Sequence, residues 1–198
     1  MNGPLEVQWL GPFRFFDSRG AVHGVGDRQG YRKLPECVRN EPGVYLWTIL
    51  VGDEYWVHDV GQCTALRRWI QHDRGCLLNG MYWFHDPKRL ALGEVRPVYS
   101  PNRAEDREKL LQDEVLKSQL REYAGLVHLF VTYATGPEPR LRRRLETSLA
   151  FHLKGTPAGS MLWGDWNDAD LMDEGENAIT VRFSSKAKIA GMPESLEV

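Results

Sequence analysis

Gly43-Val-Tyr-Leu-Trp-Thr-Ile-Leu-Val51, then Gly52-Asp53-Glu54, then Tyr55-Trp-Val-His-Asp-Val-Gly61, is the stretch that decides how this chain folds. Both runs are rich in β-branched and aromatic residues, which suit a pleated, half-buried surface. Two such runs joined by a short Gly-containing connection predict a β-hairpin. Immediately downstream, Thr64 stands where a helix cap belongs, and the spacing predicts a helix to about residue 77. At 100° per residue, Leu66, Trp69, Ile70, Cys76 and Leu77 share one arc of it. Arg68 and His72 lie one turn apart at the shoulder of that arc, where a helix meets a cleft rather than bulk solvent.

Further along, residues 79–101 carry prolines at 87, 97 and 101 and read as loop, with an aromatic cluster at Tyr82-Trp83-Phe84. A charged helix is expected over 103–123. Residues 126–134 (Leu-Val-His-Leu-Phe-Val-Thr-Tyr-Ala) read as a third strand, apolar enough for burial on both faces. A further helix is expected over 138–154, led by Pro137 and Pro139 and ended by Gly155. Upstream, residues 5–16 read as one or two short strands broken at Gly11-Pro12, and 17–42 as a long loop. Downstream, 156–177 read as loop, 178–183 as a short strand, and the tail as open. The order strand, strand, helix, insertion, strand, helix implies an α/β (α+β) arrangement. The expected core is a small mixed, mainly antiparallel sheet with flanking helices and extra N- and C-terminal strands. Residues 1–40 would pack on a core of 41–170, with 171–198 as C-terminal strand and tail of one structural domain.

The composition bounds the rest. A chain of 198 residues buries about 70% of its unfolded surface, so it needs neither disulfides nor metal to fold. Its 42% hydrophobic and 26% charged residues exclude collagen-like, disulfide-scaffold and wholly disordered classes. No apolar run approaches the ~20 residues that a membrane helix requires, so no membrane partner is expected. Met1 to Phe16 lacks the layout of a secretory leader, and Cys37, Cys63 and Cys76 have no framework spacing. Free thiols in a cytoplasmic protein are therefore expected.

Net charge, at −2, gives no global electrostatic case for nucleic acid. The charge is uneven, however: residues 158–198 hold eight acids and three bases, leaving 22 bases and 19 acids before them. Asp165, Asp168, Asp170, Asp173, Glu174 and Glu176 read as a solvated acidic loop. The basic cluster Arg140, Arg142, Arg143, Arg144, together with Arg67, Arg68 and Arg74, reads either as a track for a DNA backbone or as a solvated helix face.

Glu146 is the most informative single residue. Leu141, Leu145, Leu149 and Leu153 step along the apolar arc of its helix, and Glu146 falls inside that arc, between Leu153 and Ala150. A carboxylate there is costly unless it has a partner or a metal. Arg142 and Arg143, at helical spacings of four and three, offer a structural salt bridge as the alternative.

Taken in order, Gly43-Val44-Tyr45, the hairpin, Asp59-Val60-Gly61, a helix carrying Arg68 and His72, a third strand, and a helix carrying Glu146 resemble a GIY-YIG nuclease domain over roughly residues 41–170. Gly43-Val-Tyr-Leu-Trp-Thr and Ile189-Ala-Gly-Met-Pro-Glu-Ser-Leu-Glu are also similar to a subgroup of small bacterial GIY-YIG proteins. The resemblance implies that Tyr45 orients or deprotonates the attacking water and that Arg68 stabilises charge on the phosphate. It implies that His72 assists the proton transfer or holds the phosphate, and that Glu146 binds Mg²⁺ (or Mn²⁺). Asn167 matches the family's Asn, with Asn177 as competitor. The implied partner is DNA, and a homodimer would suit a cutter of both strands. This division of labour fits phosphodiester hydrolysis: metal, bidentate guanidinium and general base act on one centre.

The departure from the family pattern is Asp59, which stands where the second tyrosine belongs. Tyr55 is four residues earlier, an even offset along the strand but roughly 13 Å away. Asp59 would serve as a base or second metal ligand, or its charge would repel phosphate and mark a non-cutting nucleic-acid-binding or protein-interaction module. Cys63, His72, Cys76 and His85 contain no short Cys-x₂-Cys pair, so core thiols and an ordinary His are favoured over zinc. Tyr82-Trp83-Phe84 would stack on a base or, more simply, anchor a loop to the core.

Overall fold

The structure is a computed structural model that describes residues 3–14, 41–101, 104–135, 138–162, 171–173 and 175–198. The side chains of residues 67–71, 74 and 104 lie outside that description. The elements in chain order are β1 (Leu5–Arg14), β2 (Gly43–Val51), β3 (Glu54–Cys63), α1 (Leu66–Leu78), β4 (Phe84–His85), α2 (Pro87–Leu90) and β5 (Pro97–Tyr99). They continue with α3 (Ala104–Gln112), α4 (Glu114–Leu126), β6 (Val127–Thr132), α5 (Pro139–Lys154), a 3-10 turn (Pro157–Met161), β7 (Thr180–Ser185) and β8 (Ser195–Glu197).

Six strands form one mixed, mainly antiparallel sheet in the order β3-β2-β6-β1-β7-β8, and β4 and β5 pair separately. The expected hairpin is β2–β3, in register so that Tyr45 faces Gly61 and Trp47 faces Asp59. Strand β1 runs antiparallel to β6 and parallel to β7, so the N-terminal strand lies inside the sheet. The segment after β7 reaches the opposite edge. Tyr55 donates its N–H to Lys188 O at 2.9 Å, and Ala190 N donates to Tyr55 O at 2.9 Å.

Alternation along β2 distributes the core to two sides. Tyr45, Trp47, Ile49 and Val51 pack with Leu66 and Leu77 of α1, Phe84, Leu120 and Tyr123. Val44 and Leu46 pack with Leu145, Leu149, Ala150 and Leu153 of α5. Strand β6 is buried on both sides, as its apolar run predicts: Leu129 and Val131 join the first cluster, Phe130 the second.

Several expectations need correction. The residue before α1 is Ala65, with no side-chain cap, so Thr64 does not cap this helix; Leu66 N is satisfied by Glu41 O at 3.2 Å. The single charged helix is two, because Asp113 turns its carboxylate onto Val115 N (2.8 Å) and Leu116 N (3.1 Å) and starts α4 afresh. Residues 79–101 hold the β4–β5 pair and α2 rather than loop alone. Residues 5–14 are one strand, with an irregularity between Leu10 and Phe13. The tail is not open, since β8 pairs with β7 and Val198 exchanges two hydrogen bonds with Ile179. Most of the 17–42 loop lies outside the described residues.

Candidate active site

The site begins with two glycines of the hairpin. Gly43 is buried so closely against β6 that a Cβ there would stand 2.3 Å from Thr132 O. At Gly61 a Cβ would stand 2.3 Å from Cζ and 2.4 Å from Oη of Tyr45. The first glycine brings β6 into the ladder, and the second leaves room for the Tyr45 ring to lie across β3. Tyr45 is thereby buried with its hydroxyl toward the outer strand.

A β-bulge sets what stands beside it. The β2–β3 register slips between Trp47/Asp59 and Thr48/Val57, which leaves His58 as the extra residue. The bulge reverses the alternation. Tyr55 and Val57 pack on the α5 side, whereas Gly61 and Cys63, beyond the bulge, lie on the Tyr45 side. The even offset from Tyr55 to Asp59 therefore does not keep them on one face, and Tyr55 instead meets His128 and Phe130, with ring centroids 5.3 and 5.1 Å away.

Asp59 is in electrostatic reach of two further carboxyls, Asp73 on α1 and Glu146 on α5. Burial of its carboxyl, then the charges of Asp73 and Glu146, raise its pKa well above the ordinary aspartate range. Asp73, only 4% exposed, accepts a hydrogen bond from Tyr82 Oη at 3.1 Å. Burial raises the Asp73 pKa, while the hydroxyls of Tyr45 and Tyr82 and the nearby His72 act in the opposite direction. Tyr45 and Tyr82 are both raised, first by burial and then by the Asp73 charge. Cys63 is pushed up to about 12, chiefly by burial.

The structure thus brings Tyr45 and Glu146 of the expected site each within electrostatic reach of Asp59. It places the Arg68 backbone on α1, one turn before His72. His72 is exposed, its Nε2 3.5 Å from Cys76 Sγ. Asn167 lies outside the described residues. Asn177 is exposed, and its carbonyl accepts from Arg144 at 3.0 Å. Arg144 and Glu146 project roughly 200° apart around α5, so Asn177 sits on the far side of that helix from Glu146.

Asp73 was missing from the sequence reading, although a signal existed: it falls about 20° from Leu66 at 100° per residue, inside the apolar arc. A carboxylate there implies a partner, as it does at Glu146. Tyr82 and Phe84 are core anchors. Tyr82 meets Trp47 edge-on at 5.6 Å, and Phe84 stacks on Tyr99 at 5.3 Å.

Three of the four arginines on α5, Arg140, Arg142 and Arg144, form neither a solvated face nor an open track. Arg142 and Arg144 are 2% and 5% exposed. Arg140 holds both carboxylate oxygens of Glu176, Nε to Oε1 at 3.0 Å and Nη2 to Oε2 at 2.8 Å, and it meets Asp173 at 2.9 Å. Arg144 bonds the Val198 carbonyl and lies 3.7 Å from Glu176. Glu176 is accordingly a paired, half-buried acid, whereas Asp173 is paired but stays exposed to solvent, and burying Arg144 is tolerable because its charge is matched. Asp165, Asp168, Asp170 and Glu174 of that acidic loop lie outside the described residues.

Among the described residues, no three His, Cys, Asp or Glu side chains gather closely enough to hold a metal ion by themselves. Mg²⁺ is commonly held by one or two carboxylates, with waters and substrate phosphate completing its shell. Glu146 is half-buried and within electrostatic reach of Asp59, which makes these two carboxyls the candidates for such a set. No helix among the described residues is long and apolar enough to cross a membrane.

No protein-family model, no curated protein and no solved structure matches this chain.

Proposed function

We propose that this chain is a metal-dependent endonuclease that hydrolyses DNA phosphodiester bonds on a scaffold of GIY-YIG type, in restriction, defence, repair or mobile DNA. The observation that supports it is that Asp59, on the edge strand of the sheet, is within electrostatic reach of both Tyr45 on the neighbouring strand and Glu146 on α5. Glu146 would hold Mg²⁺ or Mn²⁺, whose chemistry when bound is to polarise the phosphate and neutralise the leaving oxygen. The high pKa of Tyr45 assigns it to orienting the attacking water rather than to deprotonating it. Arg68 would grip phosphate oxygens, and His72, exposed one turn on, would assist the proton transfer or hold the phosphate. Asp59 takes the place of the second tyrosine, as a base or second ligand. A homodimer would let the protein cut both strands.

The crowding of Asp59 with Asp73 and Glu146 favours a second reading, a non-cutting nucleic-acid-binding or protein-interaction module, because clustered carboxylates repel phosphate. A plasmid nicking assay separates the readings, with wild type, Glu146→Ala and Asp59→Tyr in Mg²⁺, Mn²⁺ and EDTA. Metal-dependent cutting that Glu146→Ala loses supports the nuclease. Cutting gained only by Asp59→Tyr supports a scaffold retired to binding. No cutting by any of the three overturns catalysis on duplex DNA.

A further inference from the structure

The least expected member of the site is Asp73. Its carboxylate is enclosed between two phenols brought to it from elsewhere: Tyr45 from β2 and Tyr82 from the segment after α1. Tyr82 Oη donates to Oδ1 at 3.1 Å, and the Tyr82 ring is braced edge-on against Trp47, the register partner of Asp59. Oδ2 is buried and makes no hydrogen bond among the described residues, so the carboxylate keeps an acceptor for Tyr45. Tyr45 itself has little freedom, since its ring is seated over Gly61.

A phenol has one proton and two lone pairs. If the proton is directed inward to a buried carboxylate, the lone pairs are left to accept from a group outside. We propose that Asp73 is a positioning residue for Tyr45: it takes the Tyr45 hydroxyl proton in a hydrogen bond and so presents the Tyr45 oxygen as an acceptor to the attacking water. This rests on the nuclease reading above, and it adds a residue that reading does not contain. The water then donates one hydrogen to Tyr45 and keeps a lone pair for phosphorus, which is orientation by hydrogen-bond polarity and not proton removal. Asp73 touches neither water nor phosphate. Catalytic hydrogen bonds are often long without substrate and tighten in the complex, consistent with Tyr82 being the hydroxyl that is bonded to Asp73 here while Oδ2 is left open.

The test combines kinetics with a spectroscopic readout on wild type, Asp73→Asn and Asp73→Glu. Tyrosine labelled at Cζ gives an NMR resonance for Tyr45, assigned by its loss in Tyr45→Phe. Asp73→Asn is expected to move that resonance and to lower kcat for plasmid nicking by about 10- to 100-fold, with KM changed little. Asp73→Glu, which keeps the anion, is expected to recover part of both, and it remains available if the Asn variant folds poorly. A Tyr45 resonance that stays in place in both folded variants overturns the pairing. A shifted resonance with kcat unchanged overturns the positioning role. Failure of wild type to nick in either metal overturns the nuclease reading and the catalytic role with it, while the resonance separately decides the Asp73–Tyr45 contact.

Discussion

The ring of Tyr45 lies across Gly61, its register partner on the neighbouring strand, with Cζ 2.3 Å from the position a Cβ would take. The relation is steric before it is chemical. A glycine at 61 is the space in which the Tyr45 side chain is stored.

Gly61→Ala is therefore expected to expel the ring. Overpacking in a closed core costs about 1–3 kcal/mol, so the variant should unfold at a lower midpoint yet remain folded at room temperature. If the proposed nuclease reading holds, nicking activity falls by about 100-fold or more, because displacing a water-orienting group by an ångström has that effect. Denaturant titration and the nicking assay together check it. A stable, fully active Gly61→Ala would show that the Tyr45 position is unimportant.

Asp59→Asn is expected to stabilise the fold at neutral and alkaline pH. The folded-state pKa of Asp59 is raised above its unfolded value, so the folded state binds the extra proton and stability declines as pH rises between the two values. Below the ordinary aspartate pKa of about 3.9 both states are protonated, and the variant should gain nothing. Thermal midpoints of the two proteins should coincide near pH 3–4 and separate toward pH 8. Coinciding midpoints throughout would mean that Asp59 is not enclosed.

His58, 1% exposed and held by Tyr123 Oη at 2.9 Å from Nδ1, titrates with the opposite sign. Burial, then the neighbouring His85, lower its pKa from 6.5 to about 3. The unfolded state thus binds the proton first, and stability is lost as pH falls from about 6.5 toward 3. Relative to His58→Gln, wild type should lose up to about 1.4 kcal/mol per pH unit across that window. Urea titrations at stepped pH measure the difference, and parallel curves would contradict it.

The ion pairs of Arg140 with Glu176 and Asp173 fasten residues 171–176 to α5. Glu176 is held down at about 2, first by its hydrogen bond from Arg140. Arg140→Ala and Glu176→Gln should each speed limited proteolysis of the 171–177 segment several-fold, and the double variant should add little to either. High salt should mimic the effect partially, since these side chains are not fully enclosed. Additive effects in the double variant would refute a shared latch.

How much of this was legible beforehand follows from which interactions are local. The β2–β3 hairpin, strand β6 and helix α5 read directly from their periodicity, because side-chain alternation and the 3.6-residue repeat are properties of neighbouring residues. Glu146 announced itself as a charge in an apolar arc, and Asp73 carried the same mark unread. Arg140 and Arg144 looked like a free basic surface, because nothing local to α5 reveals that Glu176 and Val198 will be folded against it. The bulge at His58 was equally hidden: a strand of ordinary composition does not disclose where its partner slips by one residue.

Local pattern was enough to place the hairpin with its two glycines, strand β6 and helix α5, and to set a tyrosine, an aspartate and a glutamate in a telling order. Only the tertiary structure decided that Asp73 joins them, that Tyr55 turns to the other face, and that the arginines of α5 bind the C-terminal segment. Periodicity reports which side of an element is buried, whereas the partner on that side is chosen by register, sheet order and the pairing of charges that burial would otherwise make too costly.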